Sequence, residues 1–124
     1  MKKVISTTNA PAAIGPYSQA IEANGFVFAS GQIQVNPETG EIPEGIEAQA
    51  EQVMKNVKNL LEAAGTCRAV FCEIFCIDAV DRCEIIHVFD EYACFYNLVN
   101  RCPCVEVARL PKDVLLEMEA IAIK

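Results

Sequence analysis

Two hydroxyl side chains and a glycine are the first groups in this chain able to hold a small molecule. Tyr17 and Ser30 flank a short apolar run within Ala10 to Gln32, APAAIGPYSQAIEANGFVFASGQ, and Gly31 follows directly. Gly15-Pro16 is a strong breaker, since proline fixes its own φ, supplies no N–H and pushes the preceding residue out of the helical region. Gly25 marks a second reversal. Tyr17 and Ser30 thus fall near strand ends beside adaptable backbone, where small-molecule sites tend to sit, and Gly31 suits a close backbone approach.

The cysteines form the other reactive set. All seven (Cys67, Cys72, Cys76, Cys83, Cys94, Cys102 and Cys104) lie in one segment. Their number is odd and no CxxC pair occurs, so neither a disulfide framework nor a zinc site is expected. The single histidine, His87, sits on an apolar helical pattern and reads as packed or exposed rather than catalytic. The bland reading of the cysteines is as small buried hydrophobes. No metal and no cofactor is expected.

The elements that must position these groups are legible from periodicity. Ser18 to Ile21 and Phe26 to Ala29 read as strands. Residues 33 to 45, with two prolines and two glycines among charges, read as a loop. Ile46, Ala50, Val53, Val57, Leu60, Leu61 and Ala64 then recur at three- and four-residue steps, predicting an amphipathic helix closed by Gly65. Residues 69 to 77 read as a buried strand, Asp78 to Asp81 as a turn, and Asp81 to Tyr96 as a second helix. Asn97 to Pro103 is a loop, Cys104 to Ala108 a strand, Leu110 to Asp113 a turn, and Leu115 to Ile123 the last strand. Glu117 and Glu119 share one face of that strand, and Met118, Ala120 and Ala122 share the other.

The order strand, strand, helix, strand, helix, strand, strand gives an α+β fold: one domain over residues 1 to 124, a sheet with both helices on one face. The other face is bare, and an apolar open face must find a partner; a cyclic trimer is one solution. With 52% hydrophobic and 22% charged residues, burial between subunits is expected, while no apolar run is long enough for a membrane span. The first residues lack the apolar core of a secretory signal, so a cytoplasmic product is expected. A net charge of −7 with scattered basic residues disfavours nucleic-acid binding, which needs a positive stripe.

The strings AIGPYSQAI, FASGQI, VNPETGEIP, EAQAEQVMKNVKNLLEAAG and CVEVARLPKDVLLEMEAIAI resemble the Rid (YjgF) family, close to its RidA branch, over residues 1 to 66 and 104 to 124. The resemblance implies a chorismate-mutase-like fold and a homotrimer with clefts between subunits. It also implies hydrolysis of reactive enamines and imines, such as 2-aminoacrylate from pyridoxal-phosphate enzymes, to 2-keto acids and ammonia. By the same resemblance Glu117 is the acidic residue that handles water, while Tyr17, Ser30, Gly31 and Cys104 line the cleft. An arginine fork holds the substrate carboxylate.

The segment from Cys67 to Pro103 departs from that pattern. A gap-free alignment sets Cys102 at the arginine position and Arg101 one place earlier, and neighbouring side chains on extended backbone point to opposite faces. Either the loop before Pro103 turns Arg101 into the cleft, or the anchor is gone. Where the family shows Val-Lys-Thr-Thr-Val-Phe-Leu, this chain has Val70-Phe71-Cys72-Glu73-Ile74-Phe75-Cys76. The leading expectation is a trimeric deaminase with Arg101 as provisional anchor. A trimeric module that binds small carboxylates or partner proteins without turnover is the alternative, and ribonuclease or translation-inhibitor activity, attributed to some relatives, is a third reading that the acidic charge disfavours.

Overall fold

A computed structural model describes residues 2–92 and 103–124. The elements run β1 (Lys3–Ile5), β2 (Ala20–Ala23), β3 (Phe26–Gln32), α1 (Ile46–Ala63), β4 (Arg68–Cys76), α2 (Arg82–Glu91), β5 (Cys104–Glu106) and β6 (Leu116–Ile123). Short 3-10 turns precede α2 at Ala79–Asp81 and β6 at Pro111–Asp113. The α+β class is as expected, but the chain opens on a strand that its three residues were too short to announce. Ser18 and Gln19 stand just before β2 rather than inside it. The described part of α2 ends at Glu91, and the expected continuation to Tyr96 lies outside the described residues.

One six-stranded sheet has the order β1-β2-β3-β6-β4-β5. The last strand in sequence inserts between β3 and β4 and pairs antiparallel with both, whereas β4 and β5 run parallel. The parallel pair requires a crossover, which α2 supplies.

Helix α1 forms because its apolar positions fall on one stripe; Ala50, Val53, Met54, Val57, Leu60 and Leu61 are all fully buried. It stops at Gly65, whose φ of +81° suits glycine. The Gly65 N–H donates to Glu62 O at 2.9 Å and the Thr66 N–H to Leu61 O at 3.0 Å, a Schellman closure. The core lies between the helices and the face of the sheet that carries Leu116, Met118, Ala120 and Ala122.

Two polar side chains of α1 tie the loop after β3 and the entry of β6 to the helix. Asn56 Nδ2 donates to Ile33 O at 3.0 Å and Val35 O at 2.9 Å. Gln49 Oε1 accepts from the Leu115 N–H at 2.9 Å and from Gln34 Nε2 at 3.1 Å. Both are buried, so the backbone groups they bind would otherwise lie unpaired away from water.

Among the described residues nothing covers the opposite face of the sheet. Val4, Ile21, Phe28, Ile121 and Phe71 form a row across five strands. Val4 is 59% and Phe28 45% exposed. Phe26 stands beside Phe28 with ring centroids 6.1 Å apart.

Candidate functional site

A β-bulge builds the site. Along β3, Ala29 pairs with Ala120 and Gln32 with Met118, so three steps on β3 match two on β6. The extra residue takes Ser30 and Gly31 out of regular pairing and bends the strand, a common device beside binding sites. On β6, Glu117 projects to the uncovered face because its neighbours Leu116 and Met118 point into the core.

The carboxyl of Glu117 lies directly over Gly31. A Cβ added to Gly31 would overlap Glu117 Oε1 and fall 2.8 Å from its Cδ. This packing half-buries the carboxyl, and the loss of water raises its pKa above the ordinary 4.5. Glu119, two residues on, is also raised: first by burial, then by a hydrogen bond to Glu73, then by the charges of Glu73 and Glu117. Glu73 is its direct cross-strand partner on β4.

Ser30 is committed locally. Its Oγ donates to Ser18 O at 2.6 Å, and its N–H donates to Gln19 O at 2.9 Å. The hydroxyl therefore offers a ligand its lone pairs rather than its proton. Tyr17 is half-exposed, and its hydroxyl accepts from the Ile14 N–H at 3.4 Å.

Tyr17, Ser30, Gly31 and Glu117 line one cavity of about 430 Å³, closed by Ile14, Ile33, Pro111 and Glu119. Four of the six sequence-predicted positions thus meet in a single chain. Arg101 lies outside the described residues. Cys104 begins β5 on the helix-covered side of the sheet, beside Cys76 and against the core, so within one chain it does not line this cavity. His87 is exposed on α2, 4.0 Å from Glu91.

A second cavity of about 390 Å³ continues from the first past Ile14, Tyr17, Gly31 and Ile33 and runs beneath the strap formed by residues 7 to 14. Lys112, held at φ 55°, is the only charged residue of its wall among the described residues. Gln19 fastens the strap. Its Oε1 accepts from the Thr7 N–H at 2.7 Å, and its Nε2 lies 3.1, 3.2 and 2.7 Å from the carbonyl oxygens of Thr7, Ala10 and Pro11. Sequence reasoning missed Gln19, Glu119 and Lys112. Shared face placement of Glu117 and Glu119 was the one available signal.

Among the described residues no group of three or more His, Cys, Asp or Glu side chains could hold a metal ion. None of their helices is long and apolar enough to cross a membrane.

Comparison with known proteins gives full-length matches. The family model described as Endoribonuclease L-PSP matches residues 7–124. The 2-iminobutanoate/2-iminopropanoate deaminase of Escherichia coli strain K12 is 45% identical over 127 residues, which cover 100% of this chain and 99% of that protein. The crystal structure of Escherichia coli TdcF with bound serine superposes with a TM-score of 0.92 at 42% identity, covering 98% of each chain. That of the YjgF gene product of Escherichia coli gives 0.91 at 44% identity, again covering 98% of each chain.

Proposed function

Because the chain belongs to the Endoribonuclease L-PSP family, the Rid or YjgF family of the sequence strings, we propose that it is a hydrolytic deaminase acting on the C=N bond of 2-imino acids. Enamines such as 2-aminoacrylate enter as their imine tautomers, and water converts each imine to a 2-keto acid and ammonia. Relatives named 2-iminobutanoate/2-iminopropanoate deaminase, 45% identical over the whole chain, support this reading. The observation that carries it is the half-buried Glu117 carboxyl lying on Gly31 at the wall of a cavity.

The reaction needs a group that takes a proton from the attacking water and a proton for the nitrogen that leaves. A carboxyl whose pKa lies above the usual range serves both demands near neutrality better than an ordinary glutamate does. Glu117 orients the water and returns its proton to nitrogen as the carbinolamine collapses. Gly31 keeps the space above its Cα free for that carboxyl, while Tyr17 and the Ser30 oxygen border the substrate.

The substrate carboxylate requires a cation. Arg101 is the provisional anchor, since a guanidinium offers two parallel charge-assisted hydrogen bonds. The chain forms a homotrimer through its open apolar face, and Cys104, on the helix-covered side of β5, stays outside the cleft. Ring closure would cover the row from Val4 to Phe71 and place sites between subunits.

The test is release of ammonia and pyruvate from enzymatically generated 2-aminoacrylate by the native chain, Arg101→Ala, Lys112→Ala and Glu117→Ala. Turnover by the native chain, with loss in Glu117→Ala and Arg101→Ala, is the expected result. Background rates for the native chain would reject the enzyme. Should a small carboxylate still raise the melting temperature of such an inactive chain, it would be a binding module, because a ligand specific for the folded state stabilises by mass action. A loss confined to Lys112→Ala would move the anchor to the strap cavity.

A further inference from the structure

The helix-covered side of the β4–β5 pair brings two thiols into contact. Cys104 pairs with Ile74 in the parallel register, and Cys76, two residues further along β4, points to the same side. The two Sγ atoms are 3.9 Å apart. Cys76 is fully buried, whereas Cys104 is only half-buried.

We propose that Cys76 and Cys104 are a redox modification site: a peroxide oxidises Cys104, and Cys76 resolves the product to a reversible disulfide. In the first step the Cys104 sulfur attacks a peroxide oxygen; an S–O bond forms, the O–O bond breaks, and the departing hydroxide leaves as water with the thiol proton. In the second, Cys76 Sγ attacks Cys104 Sγ; the S–S bond forms, the S–O bond breaks, and hydroxide leaves as water with the Cys76 proton. Two thiols lose two electrons and two protons, and hydrogen peroxide is reduced to two waters.

The geometry permits closure. The sulfurs must approach to about 2.05 Å. The strand that has to move is β5, three residues long at the edge of the sheet, with β4 on one side only. Backbone bonds from the Ile74 N–H to Pro103 O at 2.9 Å and from the Val107 N–H to Cys76 O at 2.8 Å hold the strands in register at both ends of the pair. Burial, followed by the neighbouring Cys104, pushes the Cys76 thiol up to about 11, so resolution accelerates as pH rises. The groups facing Cys76 are Cys104 and Glu106 from β5 and Arg82 from α2.

The experiment is treatment of the full chain with hydrogen peroxide at pH 7 and pH 9, quenching by alkylation, and peptide mapping by mass spectrometry with and without dithiothreitol. Expected is a peptide pair joined through Cys76 and Cys104, lighter by two hydrogen atoms than the sum of its thiol forms, formed faster at pH 9 and undone by dithiothreitol. Cys76→Val should abolish the linked pair, and Cys72→Val, a change of the other buried thiol on the same strand, should leave it. Linkage of Cys104 to any other cysteine, or oxygen addition to Cys104 without cross-linking in the native chain, would overturn the proposal. The readout is a covalent mass, so it stands or fails independently of deaminase activity.

Discussion

Glu117 and Gly31 occupy one another's space: the carboxyl of the first fills the volume that any side chain on the second would need. The contact joins the bulge of β3 to the middle of β6, and it is what strips water from the acid. The backbone of Gly31 is not in the left-handed region, so its lack of a side chain, and not its φ, is what the site uses.

Gly31→Ala should therefore separate chemistry from folding. The clash falls on the far end of a flexible side chain, so Glu117 swings aside at little cost in stability. A displacement of about 1 Å is enough to lower kcat/KM by ~100-fold. Kinetics on 2-aminoacrylate beside a thermal melt checks this; an unchanged rate would remove Gly31 from the site.

Glu117→Gln keeps the shape and removes the acid. Loss of a positioned general acid–base group is worth ~100- to 10,000-fold in kcat. The native pH–rate profile should also show an essential carboxyl titrating above 4.5, the direction that burial sets, and this limb should vanish in the variant.

Glu73→Thr should stabilise the protein at neutral pH. Glu73 and Glu119 face each other across β4 and β6, and like charges directly opposite destabilise a sheet by ~0.5 kcal/mol. Glu119 is raised in the folded state, so the stability it contributes is complete below its ordinary 4.5 and is lost as pH rises through its folded value. The gain from the variant is thus expected at pH 7 and absent near pH 3. Urea unfolding at the two pH values measures it; equal gains at both would rule out repulsion between the two carboxylates as the cause.

Gln19→Leu should free the strap while the sheet persists. It leaves a Thr7 N–H and three carbonyls without their partner, and an unsatisfied buried group costs ~1–3 kcal/mol. Faster amide exchange over residues 7 to 14, with β6 still protected, is the expected pattern.

Phe28→Asp tests the uncovered face. A charge in the row between Ile21 and Ile121 should abolish association, read as a shift to monomer by sedimentation. Activity should fall with it because the proposed sites lie between copies. An active monomer would place the whole site within one chain.

The amphipathic stripe of α1, its glycine stop and the alternation of β6 could be read from the chain alone, because each reports on neighbours three, four or two residues away. The strings around Tyr17, Gly31 and Glu117 likewise pointed to the family before any coordinates. By contrast, β1 has only three residues and exists through its pairing with β2, so local pattern does not announce it. Seating Glu117 over Gly31 required the bulge and the insertion of β6 between β3 and β4. Gln19 reads as an ordinary polar residue until the strap it fastens is folded over it, and Cys76 meets Cys104 only when a parallel crossover sets their strands side by side. Sequence determined the longer elements and which face each presents to the core. Tertiary structure decided which side chains touch, because those contacts join residues far apart in the chain, and hydrophobic period carries no information about them.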